Sequence, residues 1–119
     1  MAVTGIGGFF FRSKDPKALA EWYLTHLGVG APEGVYLWPQ EAGPTVFAPF
    51  KADSDYFAAD KSWMLNLRVD DLDAMVTELE AKDVPILGRQ DEDYGRFAWI
   101  MDCDGLKIEL WEQLGPAPD

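Results

Sequence analysis

The stretch GRFAWIMDCDGLKIELWE, residues 95–112, contains two runs of β-prone residues separated by the turn sequence DCDG. The runs RFAWIMD and KIELWEQ are rich in branched and aromatic residues, which predicts two short strands. Gly105 can adopt the positive φ that a tight connection needs. The stretch therefore predicts an antiparallel hairpin with its turn at DCDG.

A strand and a helix are predicted before this hairpin. In WMLNLRVDD, residues 63–71, alternate residues are apolar, which is the period of a strand with two different faces. Asp71 then fits the N-cap of a helix, LDAMVTELEAKD, whose apolar residues fall on one stripe. A further short strand is predicted at VPILG, residues 84–88. The second half thus predicts the order strand, helix, three strands.

The first half repeats this order. The segment FFRSKDPKALAEW can be laid over NLRVDDLDAMVTE with Asp15 on Asp71 and Arg12 on Arg68. We predict a strand in GIGGFFFRS and a helix that is capped by Asp15 and stopped by Gly28. A hairpin is predicted in GVYLWPQ and PTVFAPF, although its prolines make the strands short or edge-like.

Two modules of one domain are the simplest interpretation of the repeat. The chain has 119 residues, 48% of them hydrophobic, which suits one core and is too short for two. We predict a single domain, 1–119, with module one at about 4–58 and module two at about 61–113. The polar, turn-rich segment KADSDYFAADK would join them. The alternative is that two generic strand-helix units share an aspartate cap by coincidence.

Charge and composition limit the partners and the location. The net charge of −11 disfavours nucleic acid, because phosphates would meet a repelling field, and it favours cationic partners. Cys103 is the only cysteine, so an internal disulfide is impossible. The first residues lack the features of a signal peptide, and no apolar stretch approaches the roughly 20 residues of a membrane helix. We therefore expect a cytoplasmic protein that does not cross a membrane.

With two βαβββ modules, helix-entry aspartates at Asp15 and Asp71, and the ending GRFAWIMDCDGLKIELWE, the chain resembles the vicinal oxygen chelate superfamily. This superfamily includes glyoxalase I, bleomycin resistance proteins, fosfomycin resistance enzymes and extradiol dioxygenases. The most specific piece runs from Gly95 to Glu109, where Cys103 stands in place of the usual proline. The resemblance implies an α+β fold in which the curved mixed sheets of two tandem βαβββ modules form one cleft that holds the ligand.

The resemblance also implies positions for a divalent cation, which enzymes of this superfamily hold with His, Gln or Glu side chains from four strands. Those positions fall at Gly8, at or beside Phe47, at Met64 and at Glu109. Glycine and phenylalanine offer no donor, and a thioether is a poor ligand for an oxygen-chelating metal. Only Glu109 matches, so we predict no metal and no other cofactor. The single histidine, His26, is expected in the last turn of a helix, where a histidine interacts favourably with the helix dipole.

A different set of side chains is expected to line the cleft. If Gly8 and Met64 point inward, as the resemblance implies, strand alternation directs other residues of the same strands inward too. The predicted ligand-binding residues are Phe10, Arg12, Phe47, Met64, Asn66, Arg68 and Trp111, with Trp38, Tyr94 and Trp99 as further candidates. Many of these aromatic residues are equally compatible with simple core packing.

Glu109 is the predicted catalytic residue. Without a metal it would act as a general base, as a hydrogen-bond acceptor for a ligand, or as the structural partner of Arg12 or Arg68. A guanidinium needs a partner or water, so each arginine is expected either to contact a ligand or to pair with Glu109 or a helix-entry aspartate.

Three functions are compatible with these features. The first is a metal-independent small-molecule-binding protein that holds its ligand in an aromatic cleft. The second is a lyase, isomerase or dioxygenase-type enzyme that uses Glu109 with a non-standard metal site, and the third is an interaction module without a ligand. We also predict a homodimer, because the short, proline-broken strands of the first half leave edges that need cover.

Overall fold

The second half of the chain forms a mixed four-stranded sheet. The computed structural model describes residues 2–30 and 37–115. Its elements are α1 (Pro16–Leu27), β1 (Leu65–Arg68), α2 (Leu72–Ala81), β2 (Gly88–Glu92), β3 (Gly95–Met101) and β4 (Lys107–Gln113). The strand order is β1-β4-β3-β2, with β1 parallel to β4 and the other pairs antiparallel. The α+β class is therefore confirmed.

Both helices begin where the sequence predicts. The Asp15 side chain accepts a hydrogen bond from the Ala18 backbone at 3.1 Å, and Asp71 does the same for Ala74 at 3.0 Å. Gly28 ends α1 with φ of +66°, a left-handed conformation that favours glycine. Within the described ranges, neither helix is long and apolar enough to span a membrane.

The two sides of the sheet carry different kinds of side chain. The core side packs against α2 and buries alternate strand residues together with the apolar stripe of the helix. Its fully buried residues include Leu72, Leu79, Ile100, Ile108 and Leu110. The opposite side, here called the aromatic face, carries Asn66, Arg68, Phe97, Trp99, Lys107, Glu109 and Trp111, which alternate with the core residues or pair with one another across the sheet.

The described residues of the first half do not form the predicted strands. Among the described residues no strand precedes Leu65, and α1 is the only regular element of the first half. Part of the predicted hairpin, residues 34–36, lies outside the described residues. A strand is stable only beside a partner, and the glycines near Ile6 and the prolines on either side of Val46 weaken the intrinsic preference further. The tandem arrangement of two modules therefore stays a prediction.

The strand predicted at residues 84–88 begins only at its last residue. Val84 is buried in the core, and its backbone N–H donates to the Leu79 carbonyl at 2.9 Å, closing the end of α2. Pro85 follows and has no N–H to give to a sheet. The apolar run thus connects the end of α2 to β2, and pairing with β3 starts at Gly88.

One buried hydrogen bond ties α1 to the sheet. Tyr23 Oη donates to Asp102 Oδ2 at 2.5 Å, and both residues are buried. Asp102 Oδ1 also accepts from the backbone N–H groups of Asp104, at 2.8 Å, and Leu106, at 3.0 Å. Nearby, Ser13 Oγ donates to Asp104 Oδ2 at 2.6 Å. The β3–β4 turn is therefore one of the points at which the first half is attached to the second.

We expect Tyr23→Phe to lower the free energy of unfolding by roughly 1–3 kcal/mol at neutral pH, because Asp102 loses a buried donor. Burial, followed by the hydrogen bond to Asp102, raises the pKa of Tyr23 above its usual value. The folded state therefore holds this proton more tightly than the unfolded state. The associated stability is complete below the unfolded pKa of about 10 and is lost as the pH rises above it.

Urea unfolding between pH 7 and pH 11 measures both effects. The wild type should lose stability above pH about 10, and Tyr23→Phe should show a shallower loss. Tyr94→Phe is the matched control, because Tyr94 is exposed. Equal stability of the two variants at neutral pH would contradict the role assigned to the Tyr23–Asp102 bond.

Candidate functional site

Glu109 lies at the centre of the aromatic face and is held by neutral donors. Asn66 on β1 and Trp99 on β3 are its register partners on either side. Asn66 Nδ2 donates to one carboxylate oxygen at 2.7 Å, and Trp99 Nε1 donates to the other at 2.9 Å. Tyr56 Oη donates to the same oxygen as Trp99. The carboxylate is thus fixed from two strands and from one loop.

Tyr56 is a site residue that the sequence did not reveal. It belongs to the segment 51–61, which the sequence indicates only as a polar linker. Burial, followed by its hydrogen bond to Glu109, raises the pKa of Tyr56 to about 12, so the phenol stays protonated at neutral pH. Lys107 Nζ lies 4.3 Å from the centre of the Tyr56 ring and donates to its backbone carbonyl at 2.6 Å. An isolated tyrosine in a polar loop has no periodicity that could indicate this role.

Three aromatic rings form a row beside Glu109. The Phe97 and Trp99 rings have centroids 6.4 Å apart and an interplanar angle of 13°. Phe97 and Trp111 are also 6.4 Å apart, at 4°. This arrangement follows from the sheet, since Phe97 is two residues from Trp99 on β3 and is the register partner of Trp111 on β4. The three rings thus stand parallel to one another, and the Glu109 carboxylate lies beside Trp99 at one end of the row.

Gly95 makes room for the end of this row. Trp111 is only 5% exposed, and its indole Nε1 is buried without a hydrogen-bond partner among the described residues. A Cβ atom on Gly95 would lie 2.5 Å from that nitrogen. The indole therefore packs directly on the backbone of Gly95, which explains why glycine is required in the Gly-Arg pair.

Arg68 fastens a loop to the sheet. Its guanidinium donates to the backbone carbonyls of Glu41 and Pro44, both at 3.0 Å. A Cβ atom on Gly43 would lie 1.8 Å from Arg68 Nη1, so a side chain at this position would displace the guanidinium. The predicted pairing of Arg68 with Glu109 is therefore not what the structure contains, because backbone carbonyls satisfy the guanidinium instead.

A cavity of about 660 Å³ adjoins the row. It lies beneath the segment 53–59 and is bounded on the sheet side by Trp99, Met101 and Lys107. This volume is within the range of small-molecule sites. Tyr56 and Trp99 line the cavity and also contact Glu109, so the cavity and the carboxylate belong to one site.

The structure brings together only part of the predicted site. Asn66, Arg68, Glu109 and Trp111 share the aromatic face, and half-buried Met64 lies two residues before Asn66.

The remaining three predicted residues are not enclosed by the aromatic face. Phe10 is 95% exposed and Phe47 is 89% exposed, and Arg12 is exposed as well. They belong to the half of the chain in which the predicted strands did not form. Their assignment as ligand-binding residues stays a prediction.

The residues at the superfamily's metal positions do not fit a divalent cation. The described residues contain no group of three or more His, Cys, Asp or Glu side chains that could hold one. Gly8 and Phe47 have no donor atoms, and Met64 supplies only a thioether. Glu109, the one suitable donor, already accepts three hydrogen bonds.

Comparisons with known proteins identify the fold. No family model matches the chain, and no curated protein does so either. Among solved structures, TnmS3, an antibiotic binding protein from Streptomyces sp. CB03234, has a TM-score of 0.67 at 24% identity, covering 96% of this chain and 99% of its own. A lactoylglutathione lyase from Agrobacterium tumefaciens has 0.59 at 17% identity, covering 94% and 96%.

A third structure, a glyoxylase/bleomycin resistance protein/dioxygenase domain from Frankia sp. EAN1pec, has a TM-score of 0.61 at 15% identity, covering 95% of this chain and all of its own. These likenesses extend over nearly the whole chain. The fold is therefore that of the glyoxalase/bleomycin resistance proteins, as the resemblance implied.

We expect Gly95→Ala to destabilise the protein by about 1–3 kcal/mol, because the new methyl group would overlap the buried Trp111 indole. Urea unfolding gives the stability, and near-ultraviolet circular dichroism reports the displaced ring. Gly7→Ala is the control, since a Cβ there would meet nothing within 4 Å. If both variants are equally stable, Trp111 does not depend on Gly95.

Proposed function

We propose that this chain is a small-molecule-binding protein that holds an aromatic ligand against the aromatic face without a metal. One observation carries the proposal: the parallel row of Trp99, Phe97 and Trp111 ends at a carboxylate held by three donors and opens on a cavity of about 660 Å³. Small-molecule pockets are usually lined by apolar and aromatic side chains with a few oriented polar groups. The likeness in fold to an antibiotic binding protein supports the same class of function.

The hydrogen bonds of Glu109 favour binding over acid-base chemistry. A carboxylate has about four lone-pair positions, and hydrogen bonds occupy three of those on Glu109, which leaves little of it to take a proton from a substrate. The two strand donors, Asn66 and Trp99, instead stabilise the carboxylate and fix its direction. Such a group suits an acceptor that orients a ligand. The enzyme alternative uses Glu109 with a non-standard metal site, and the described residues contain no group of three or more His, Cys, Asp or Glu side chains that could form one.

We further propose that the chain works as a homodimer. The first half exposes many large apolar side chains, among them Ile6, Phe9, Phe10, Phe11, Leu37, Trp38, Val46 and Phe47. The accessible surface is 9013 Å², against about 6,500 Å² expected for a compact monomer of this size. The difference is comparable with the area that each protomer contributes to a large obligate interface. A second copy would cover these residues, and both sites would lie near the interface.

Glu109→Gln should weaken binding of an aromatic ligand by about tenfold or more, because a neutral amide is a poorer acceptor than a carboxylate. A thermal-shift screen of planar aromatic natural products would supply the ligand, and calorimetry would give its affinity for each variant. Glu80→Gln, an exposed change on α2, is the matched control. Equal affinities of both variants and the wild type would refute the role of Glu109.

The same thermal-shift assay separates binding from metal-dependent catalysis. Mn, Ni, Fe or Zn at modest excess should shift the melting temperature of the wild type no more than that of Glu109→Gln. A stoichiometric metal that binds the wild type alone would overturn the metal-free proposal and favour a lyase, isomerase or dioxygenase.

Sedimentation at micromolar concentration should give the mass of a dimer. Phe10→Ser combined with Phe47→Ser should shift the protein towards the monomer, because both side chains are exposed in one copy of the chain. The exposed change Glu80→Gln again serves as control. A wild-type protein that sediments as a monomer would contradict the proposal.

A further inference from the structure

We infer that the Tyr56 side chain occupies the subsite of the ligand's own aromatic hydroxyl group, so that the natural ligand is a phenol-type compound that displaces Tyr56 when it binds. This inference rests on the proposed function and assigns the chemical class of its ligand. It also identifies the segment 53–59 as a strap that covers the site.

The contacts of Tyr56 are those that a bound phenol would make. Its hydroxyl donates to Glu109 and accepts from Trp99 Nε1 at 3.1 Å. Its ring lies below Lys107 Nζ, 4.3 Å from the centroid, and meets the Trp99 ring edge-on at 6.5 Å and 78°. Hydroxyl, ring edge and ring face are therefore each recognised separately. Such complete recognition is unusual for a loop side chain that is still 36% exposed.

Tyr56 is the replaceable member of the Glu109 network. Asn66 lies on β1 and Trp99 on β3, and the pairing of these strands with β4 fixes both residues beside Glu109. Tyr56 reaches it from a segment with neither helix nor strand. Apart from the contacts of the phenol, the strap is held at this point by Lys107 Nζ, which donates to the Tyr56 carbonyl, and by the contact of Phe57 with the exposed Phe50 ring. If Tyr56 leaves, Glu109 keeps two donors and its orientation.

The position of the cavity also supports the replacement of Tyr56 by a ligand. The cavity is lined by the strap, including Phe57, and by Trp99 and Lys107 of the sheet. Outward movement of the strap would join this space to the place now filled by the Tyr56 ring. A planar ligand would then contact the ring of Trp99 while its hydroxyl donates to Glu109.

The acceptor character of Glu109 defines the ligand further. A carboxylate can accept a hydrogen bond but cannot donate one, so the ligand must bring the hydrogen. An aromatic ether cannot do so, and an aromatic carboxylate would be repelled by the like charge. The hydroxyl group, rather than the ring alone, should therefore determine affinity.

Calorimetry with 2-naphthol and 2-methoxynaphthalene tests the inference on the full chain. The wild type should bind the naphthol about tenfold more tightly than its methyl ether, and Glu109→Gln should abolish that preference. Tyr56→Ala should bind 2-naphthol about tenfold more tightly than the wild type, because the internal competitor is gone. Tyr56→Phe, which keeps the ring but cannot donate to Glu109, should fall between them. Asp60→Ala, an exposed change in the same loop, should match the wild type.

The outcomes distinguish this inference from the proposed function. If Tyr56→Ala and Tyr56→Phe both bind 2-naphthol no more tightly than the wild type, Tyr56 is not a competitor and the inference fails. Binding that still depends on Glu109 would leave the proposed function intact in that case. If the wild type prefers the methyl ether, the assigned ligand class is wrong. If planar aromatic compounds bind none of the proteins, the proposed function fails as well.

Discussion

The parallel pairing of β1 with β4 is the constraint on which the site depends. Two parallel strands cannot be joined by a tight turn, so the chain must cross over, and α2 makes that crossing while covering the core side of the sheet. The register then sets Asn66 beside Glu109 and Arg68 beside Trp111. A slip of one residue would turn the β1 side chains to the opposite side of the sheet. The buried Leu67 prevents such a slip, because it would have to leave the core.

The sequence predicts the second half well because its signals are local and agree with one another. The aspartate caps, the apolar stripe of α2 and the glycine of the DCDG turn each specify structure within a few residues. The first half differs because strands are stabilised by partners that a periodic pattern does not identify. The run that starts at Val84 is a smaller example. Its β-branched residues favour a strand, but Val84 is buried and its N–H bonds to the end of α2, and these contacts outweigh that preference.

For the site, alternation correctly places four predicted residues on one face, because the period of a strand fixes side-chain direction. It does not indicate what each one contacts. Arg68 binds the carbonyls of a distant loop, and Glu109 is satisfied by Tyr56 from another. Both contacts depend on how loops fold back over the sheet, which is decided by long-range packing. Glycine offers a partial signal, since Gly43 and Gly95 mark places where a large side chain approaches the backbone.

The division of the sheet into a core side and an aromatic side has an evolutionary consequence. Residues of the core and residues of the aromatic face alternate along the same strands, so neighbouring positions are under different physical constraints. Phe97 or Trp99 can be exchanged without opening a void around Ala98 or Ile100, because those side chains face the other way. Recognition can therefore diversify while the scaffold is retained. TnmS3 and the Frankia domain share this fold over nearly the whole chain at 24% and 15% identity.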